Sequence, residues 1–226
     1  DASGAIREAV AVLDFNTAAA TVDLARGVLD TTPQSHPVGT RLIGVGEWLA
    51  SEGAERAPGE SVFVGAIPRT STDQGDAELA SNGQPMVLTG RQALPYPPGR
   101  IRLNGQTEPA VVASDLSIAW AHRDRTQQTA YLVQQGEADI GPEPGVSYTV
   151  RIRDRNDALV HTASGITGAN FVWDVATAAA DAGALGDRIT LELNAVRDGL
   201  ESWQPQVRAA DRAGYGLRWG QYWGGI

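Results

Sequence analysis

Short alternations of apolar and polar residues, broken at close intervals by Gly, Pro, Asn and Asp, run the length of the chain and predict strands rather than helices. In the first 94 residues the strand-like runs are AVAVLDFN (9–16), ATVDLARGVLD (20–30), TRLIGVGEW (40–48), ESVFVGAIPR (60–69) and QPMVLTGRQ (84–92). Turn-forming clusters at 33–37 and 71–75 separate them. Within the second run Val22, Leu24, Val28 and Leu29 are expected to face a core, and Gly27 suits a bulge or a close backbone approach. The expectation for this region is a small all-β barrel or sandwich.

The pattern sharpens after LPYPPG (94–99), whose three prolines hold the backbone extended and deny ladder donors. This is the expected domain boundary, giving a β-rich domain over 1–94, a second domain over 95–209 and a tail over 210–226. Strands are expected at 100–104, 116–122, 147–154, 158–163, 169–173, 188–197 and 203–208, with a turn at Asn156 and Asp157. Alternation puts Leu116, Ile118 and Trp120 on one face, Tyr148, Val150 and Ile152 on another with Arg151 and Arg153 opposite, and Ile189, Leu191, Leu193 and Ala195 on a third. About seven short strands with a tryptophan on the second match a fibronectin type III-like sandwich, with Trp120 in its core. VATAAADAG (175–183) is the exception: Asp174 is a good N-cap, the alanines form helix and Gly183 stops it. It reads as a short inserted helix that plugs an edge or an end of the sandwich. The fold class is therefore all-β, a small β-barrel/sandwich domain followed by the type III-like sandwich.

Composition narrows the chemistry. The chain has no cysteine, which removes disulfides, thiolate metal sites and a cysteine nucleophile. All 18 basic residues are arginine, against 27 acids, for a net charge of -9. The acids outnumber the arginines both before residue 95 and within 95–209, so the body repels phosphate backbones and no nucleic acid is expected as a partner. No apolar run approaches the roughly 18 residues of a membrane span. A start at Asp1, with Met86 the only methionine, suggests a processed product or a piece of a longer protein.

Catalytic patterns are not found. His36, His122 and His161 lack zinc spacing, and no G-x-S-x-G elbow occurs. Glu137, Asp139 and Glu143, like Asp154 and Asp157, suit solvated loop acids, with a weak calcium site as the other reading. The sharpest polar feature is the loop around Arg123, Asp124 and Arg125. It suits either a contact in which arginine forks meet carboxylates of a neighbouring subunit, or a charged turn neutralised within its own domain. The ending AGYGLRWGQYWGGI sets Tyr215, Trp219, Tyr222 and Trp223 among glycines. Those rings suit contact with a subunit or neighbour, packing onto their own domain, or contact with glycan or envelope.

The series PYPPGRIRLNG, DLSIAWAHRDRTQQT, GPEPGVSYTVRIRD, NAVRDGLESWQ and GYGLRWGQYWGG resembles the C-terminal part of tail-tip/central-fibre (baseplate hub) proteins of long-tailed bacteriophages and gene transfer agents. The upstream run LARGVLDTTPQSHPVGTRL is similar to the β-domain that precedes the sandwich in those proteins, so the resemblance covers nearly the whole chain. It implies a structural virion protein at the distal tail, extracellular and three-fold symmetric as a homotrimer. The implied partners are other tail-tip proteins, copies of itself and a host cell-surface component. No catalytic residue, cofactor or metal comes with it. The rival expectation is a carbohydrate-binding or accessory module of a secreted polysaccharide-active enzyme, which a flat strip of exposed Trp and Tyr would favour.

Overall fold

The computed structural model describes residues 8–44, 56–65, 67, 70–73, 75, 83–108, 111–112, 115–127, 132–137, 139–182 and 188–212. The chain divides into two compact units, Asp1–Arg41 with Leu94–Ile226, and Leu42–Ala93. The first unit opens with an antiparallel hairpin of β1 (Ala11–Asn16) and β2 (Thr21–Ala25). The second unit contains the antiparallel pair β3 (Ser61–Val64) and β4 (Gln84–Val87). Back in the first unit come β5 (Gly99–Leu103), β6 (Leu116–Ala121), β7 (Ser147–Arg153), β8 (Leu159–Ile166) and β9 (Asn170–Trp173). The helix α1 (Val175–Ala182) follows, then β10 (Arg188–Arg197), β11 (Leu200–Glu201) and β12 (Gln206–Asp211).

Two sheets make the sandwich. One runs β5-β6-β9, and the other runs β8-β7-β10 with β11 and β12 both pairing to β10. The inward positions are those the alternation selects: Leu116, Ile118 and Trp120 from the first sheet meet Tyr148, Val150, Ile152, Ile189, Leu191 and Leu193 from the second in one buried core. Trp120 meets Tyr148 edge to face, with ring centroids 5.2 Å apart. Trp173 is fully buried beside them and is the largest such side chain. Burying one such ring removes roughly 200 Å² from water, at most about 5 kcal/mol at 25 cal/mol/Å². All-β with a type III-like sandwich and one short helix is therefore the fold.

The helix forms where its cap permits. The Asp174 carboxylate accepts from the backbone N–H and the hydroxyl of Thr177, both in the first turn. Ala178 enters the core, while Asp181 accepts from Trp173 Nε1 at 2.9 Å and lies 2.7 Å from His161 Nδ1. The inserted helix is thus held on the sandwich by Ala178 in the core, by Asp181 and by its first N–H, which donates to Asp115.

Several elements differ from expectation, each for a local reason. β12 starts at Gln206 rather than 203 because Pro205 cannot donate to the ladder. β11 was not expected, although Asp198 and Gly199, both at positive φ, make a two-residue turn of the Asp-Gly kind that calls for a hairpin. Residues 40–44 carry no strand. Val22, expected in a core, is exposed; Val28 is buried, and Leu24 and Leu29 are half-buried. The two units divide at residues 41/42 and 93/94, so residues 1–41 belong with the sandwich rather than with 42–93. Pro95, Pro97 and Pro98 are buried in the sandwich unit and lead directly into β5, an edge strand.

Gly27 is the tightest point of this join. Its φ is +57°, and a Cβ there would sit 2.5 Å from Gln135 Cγ and 2.6 Å from Pro33 Cδ. The close backbone approach expected of it is therefore present. Gly27→Ala is predicted to destabilise the protein by about 2–3 kcal/mol, combining backbone strain with overpacking. Urea denaturation followed by tryptophan fluorescence measures this, and a loss under 0.5 kcal/mol would refute the tight fit.

Candidate interaction surface

The polar residues that stood out as contact candidates are mostly consumed inside the protein. Arg123 is 3% exposed and Asp124 is 1% exposed. Arg123 Nη2 donates to the Val133 carbonyl at 2.9 Å, and its guanidinium lies over the Tyr96 ring with 5.5 Å to the centroid. Burial pulls its pKa down to about 10, and among the described residues Nε and Nη1 have no hydrogen-bond acceptor. Asp124 accepts from the Thr126 N–H and hydroxyl and from Gln127, capping the short 3-10 turn Arg125–Gln127. Arg125 Nε donates to Glu143 at 2.8 Å, and Arg197 donates to the same carboxylate. Arg125 is neutralised within its own domain by Glu143, whereas Asp124 caps the turn and, among the described residues, Arg123 pairs with no carboxylate. As an interface, Arg123 and Asp124 are corrected: their side chains do not reach the surface, and Arg125 keeps only an edge in solvent.

Replacing a buried, under-partnered guanidinium by an apolar side chain of similar length removes a desolvation cost. Arg123→Met is therefore predicted to melt at or above the wild-type temperature, whereas Arg123→Ala, which also loses packing, costs about 2 kcal/mol. Thermal melts of the pair test this, and Arg123→Met melting as low as Arg123→Ala would overturn it.

A second internal cluster holds the N-terminal segment. The Glu8 side chain is fully enclosed and bonds Arg26 through both oxygens at 2.7 Å, the N–H groups of Gly27 and Gln34, and His36 Nε2 at 2.8 Å. Burial pushes this carboxyl up, but the bonds from Arg26, Gln34, His36 and Gly27 outweigh it and bring the pKa down to about 2. Alongside, Thr32 donates to Gln204, Gln135 donates to the Thr31 carbonyl, and Gln206 donates to Gln135. These buried amides join residues 26–32 to the sandwich across more than a hundred positions of sequence.

Because the folded pKa of Glu8 lies below its ordinary value of 4.5, the stability it contributes is fully present above about pH 5 and declines as pH falls toward 2. Glu8→Gln is predicted to cost about 2 kcal/mol at pH 7, and the gap between variant and wild type narrows as pH drops from 5 to 2. Denaturation midpoints across that range check the sign. A gap that stays constant would contradict it.

The other singled-out acids and histidines are dispersed. Glu137 accepts from the Gln134 N–H, Asp139 from the His122 N–H, and Asp154 from the N–H groups of Asn156 and Ala158. His36 meets Glu8, His122 Nδ1 is 2.7 Å from the Tyr148 hydroxyl, and His161 meets Asp181. Among the described residues no three His, Asp or Glu side chains gather as a metal would require. These acids act as turn caps, and the histidines sit at three separate points. Tyr215, Trp219, Tyr222 and Trp223 lie outside the described residues.

What the surface offers instead is apolar. The outer side of β7 and β10 is laced by Arg151 with Glu201 and Arg153 with Glu192. The two hairpins are different. In β3–β4, Phe63, Val64, Met86 and Val87 are all exposed. In β1–β2, Val12 is 51% exposed, Phe15 65% and Val22 44%. The exposed large apolar side chains of the described residues include no Trp or Tyr. Sequence reasoning missed this surface because β-alternation alone does not say whether an apolar face has anything to cover it.

The sequence matches no family model and no curated protein. Among solved structures it is similar to the FN1–FN3 domains of chicken CNTN1, at 10% identity and a TM-score of 0.31, over 65% of this chain and 42% of that one. The chain thus spans less than half the length of that neighbour.

Proposed function

We propose that the chain is a structural component of a phage tail tip, in the distal hub or central fibre, that extends the tip and contributes to attachment at the host surface. The observation that carries this reading is the distribution of chemistry between inside and outside. Charged side chains such as Arg123, Asp124, Glu143 and Glu8 are enclosed, Glu143 by Arg125 and Arg197 and Glu8 by Arg26 and His36, while two hairpins hold aliphatic and phenylalanine side chains in solvent. A catalytic surface needs accessible polar groups with perturbed pKa values. A building block needs a rigid body and apolar area to bury against neighbours. The resemblance of WAHRDR and NAVRDGLESWQ to tail-tip proteins supports the same reading, with copies of the chain and other tail-tip proteins as partners. Among the described residues the exposed rings are Phe15 and Phe63, neither of them a Trp or Tyr of the kind that stacks on sugars.

Antibodies against this chain are expected to decorate the end of a tailed particle farthest from its head and to reduce adsorption to host cells. Electron microscopy of particles from cells carrying this coding sequence reads the first outcome, and an adsorption assay reads the second. Decoration of the head alone, or antigen found only free of particles, would sink the reading.

A further inference from the structure

Strands β1 and β2 pair Phe15 with Val22, Val12 with Leu24, Asp14 with Asp23 and Asn16 with Thr21. Val22 and Leu24 are two apart and share a face of the ribbon, so their partners Phe15 and Val12 share it too. Phe15 and Val12 are three apart, which an unbroken strand would place on opposite faces. The register shift between Val12 and Asp14 corrects this by one residue, as a bulge does. One face of the hairpin is thereby wholly apolar, and the other carries Asn16, Thr21 and two aspartates directly opposite each other. That pair of like charges disfavours the ribbon in isolation. A lone two-stranded hairpin is marginal in water even without it.

The root of the hairpin is fixed. Val28 N–H donates to the Ala9 carbonyl, and Glu8 holds Arg26 and Gly27 just beyond the end of β2. The apolar face is therefore presented on a rigid base. Its chemistry selects the occupant. Residues 9–25 contain two acids and no base, so an anionic lipid surface or nucleic acid is repelled. A basic protein would be drawn to Asp14 and Asp23, which lie on the opposite face. A second copy of this chain, itself carrying a net charge of -9, can approach only where acids are turned away, and the apolar face meets that condition.

We propose that copies of this chain associate through the Val12, Phe15, Val22 and Leu24 face of the β1–β2 hairpin, each copy's face covering another's. This rests on the assembly reading above and names the surface that serves it. The four side chains offer roughly 300 Å² per copy, short of the about 800 Å² per partner of a stable complex, so the contact alone is weak and concentration-dependent.

The absence of cysteine makes a direct test clean. In the full chain, Val22→Cys under mild oxidation is expected to give a disulfide-linked dimer that reductant reverses. Val207→Cys, at a position equally exposed on β12, is expected to give at least tenfold less at the same concentration. Adding Phe15→Asp to Val22→Cys should abolish the cross-link, and Phe15→Asp alone should weaken self-association at least tenfold in sedimentation while its circular dichroism stays unchanged. Phe15→Ser repeats the test without adding a charge. Equal cross-linking at 22 and 207, a chain monomeric at every concentration, or an oligomer that Phe15→Asp and Phe15→Ser leave intact would each overturn the inference. The last of these leaves the tail-tip reading standing. Cross-linking at Val22 in a chain that antibodies fail to find on tails would remove that reading and keep the interface.

Discussion

The aromatic rings at the centre of the sandwich carry polar atoms, and a polar atom enclosed between two sheets must find its partner within the fold. This constraint orders much of the architecture. Trp173 is fully buried, and its indole N–H reaches Asp181, which fixes α1 against the rim. The Tyr148 hydroxyl reaches His122, which holds the chain leaving β6 close to β7. Burial and the nearby Asp139 raise the Tyr148 pKa, so the ring stays neutral and its hydroxyl remains available for that bond. Trp120 is the exception: among the described residues its N–H has no acceptor, and it is held by packing, edge to face against Tyr148.

The same demand, applied at the end of the sandwich where β12 begins, binds the N-terminal segment. Gln135 and Gln206 are buried amides on the sandwich, and Thr31 and Thr32 are buried on the segment. Each side alone would enclose unpaired donors and acceptors, and together they satisfy most of them. The Arg26 carbonyl accepting from Gln135 N–H and the Gln135 carbonyl accepting from Arg100 N–H continue the chain of bonds into β5. Residues 42–93, which separate the joined parts in sequence, form a unit of their own.

The strands of the sandwich were readable because each buries one face, and a two-residue period records that burial directly. Ile189 to Ala195 on β10 shows it: every second side chain is apolar and every one of those is in the core. The helix was readable from Asp174 and the alanines because capping and propensity are local. What could not be read is non-local. Nothing in the order Gln-Gln at 134 and 135 announces that Thr31 will meet it. The loop at Arg123, Asp124 and Arg125 displayed its charges but not their depth, because burial of an arginine depends on what packs over it, here Tyr96 and the loop through Val133. For Val22 the period was right and the conclusion was not: alternation identifies a face as apolar, and only the fold says that no core lies against it.

That inversion bears on function. Most monomers bury their large aliphatic side chains and keep contiguous exposed apolar patches small. Here the outer side of β7, β10 and β11 carries ion pairs, while both hairpins depart from that rule by gathering several large apolar side chains in solvent. The departure in β1–β2 is ordered rather than haphazard. A bulge realigns Val12 with Phe15, the acids are gathered on the other side, and a fully enclosed Glu8 steadies the root. Each device would be superfluous for a ribbon that merely connects two parts of a chain. Taken together they keep one apolar face free of acids on an otherwise acidic body, which is what the proposed contact between identical acidic copies would require.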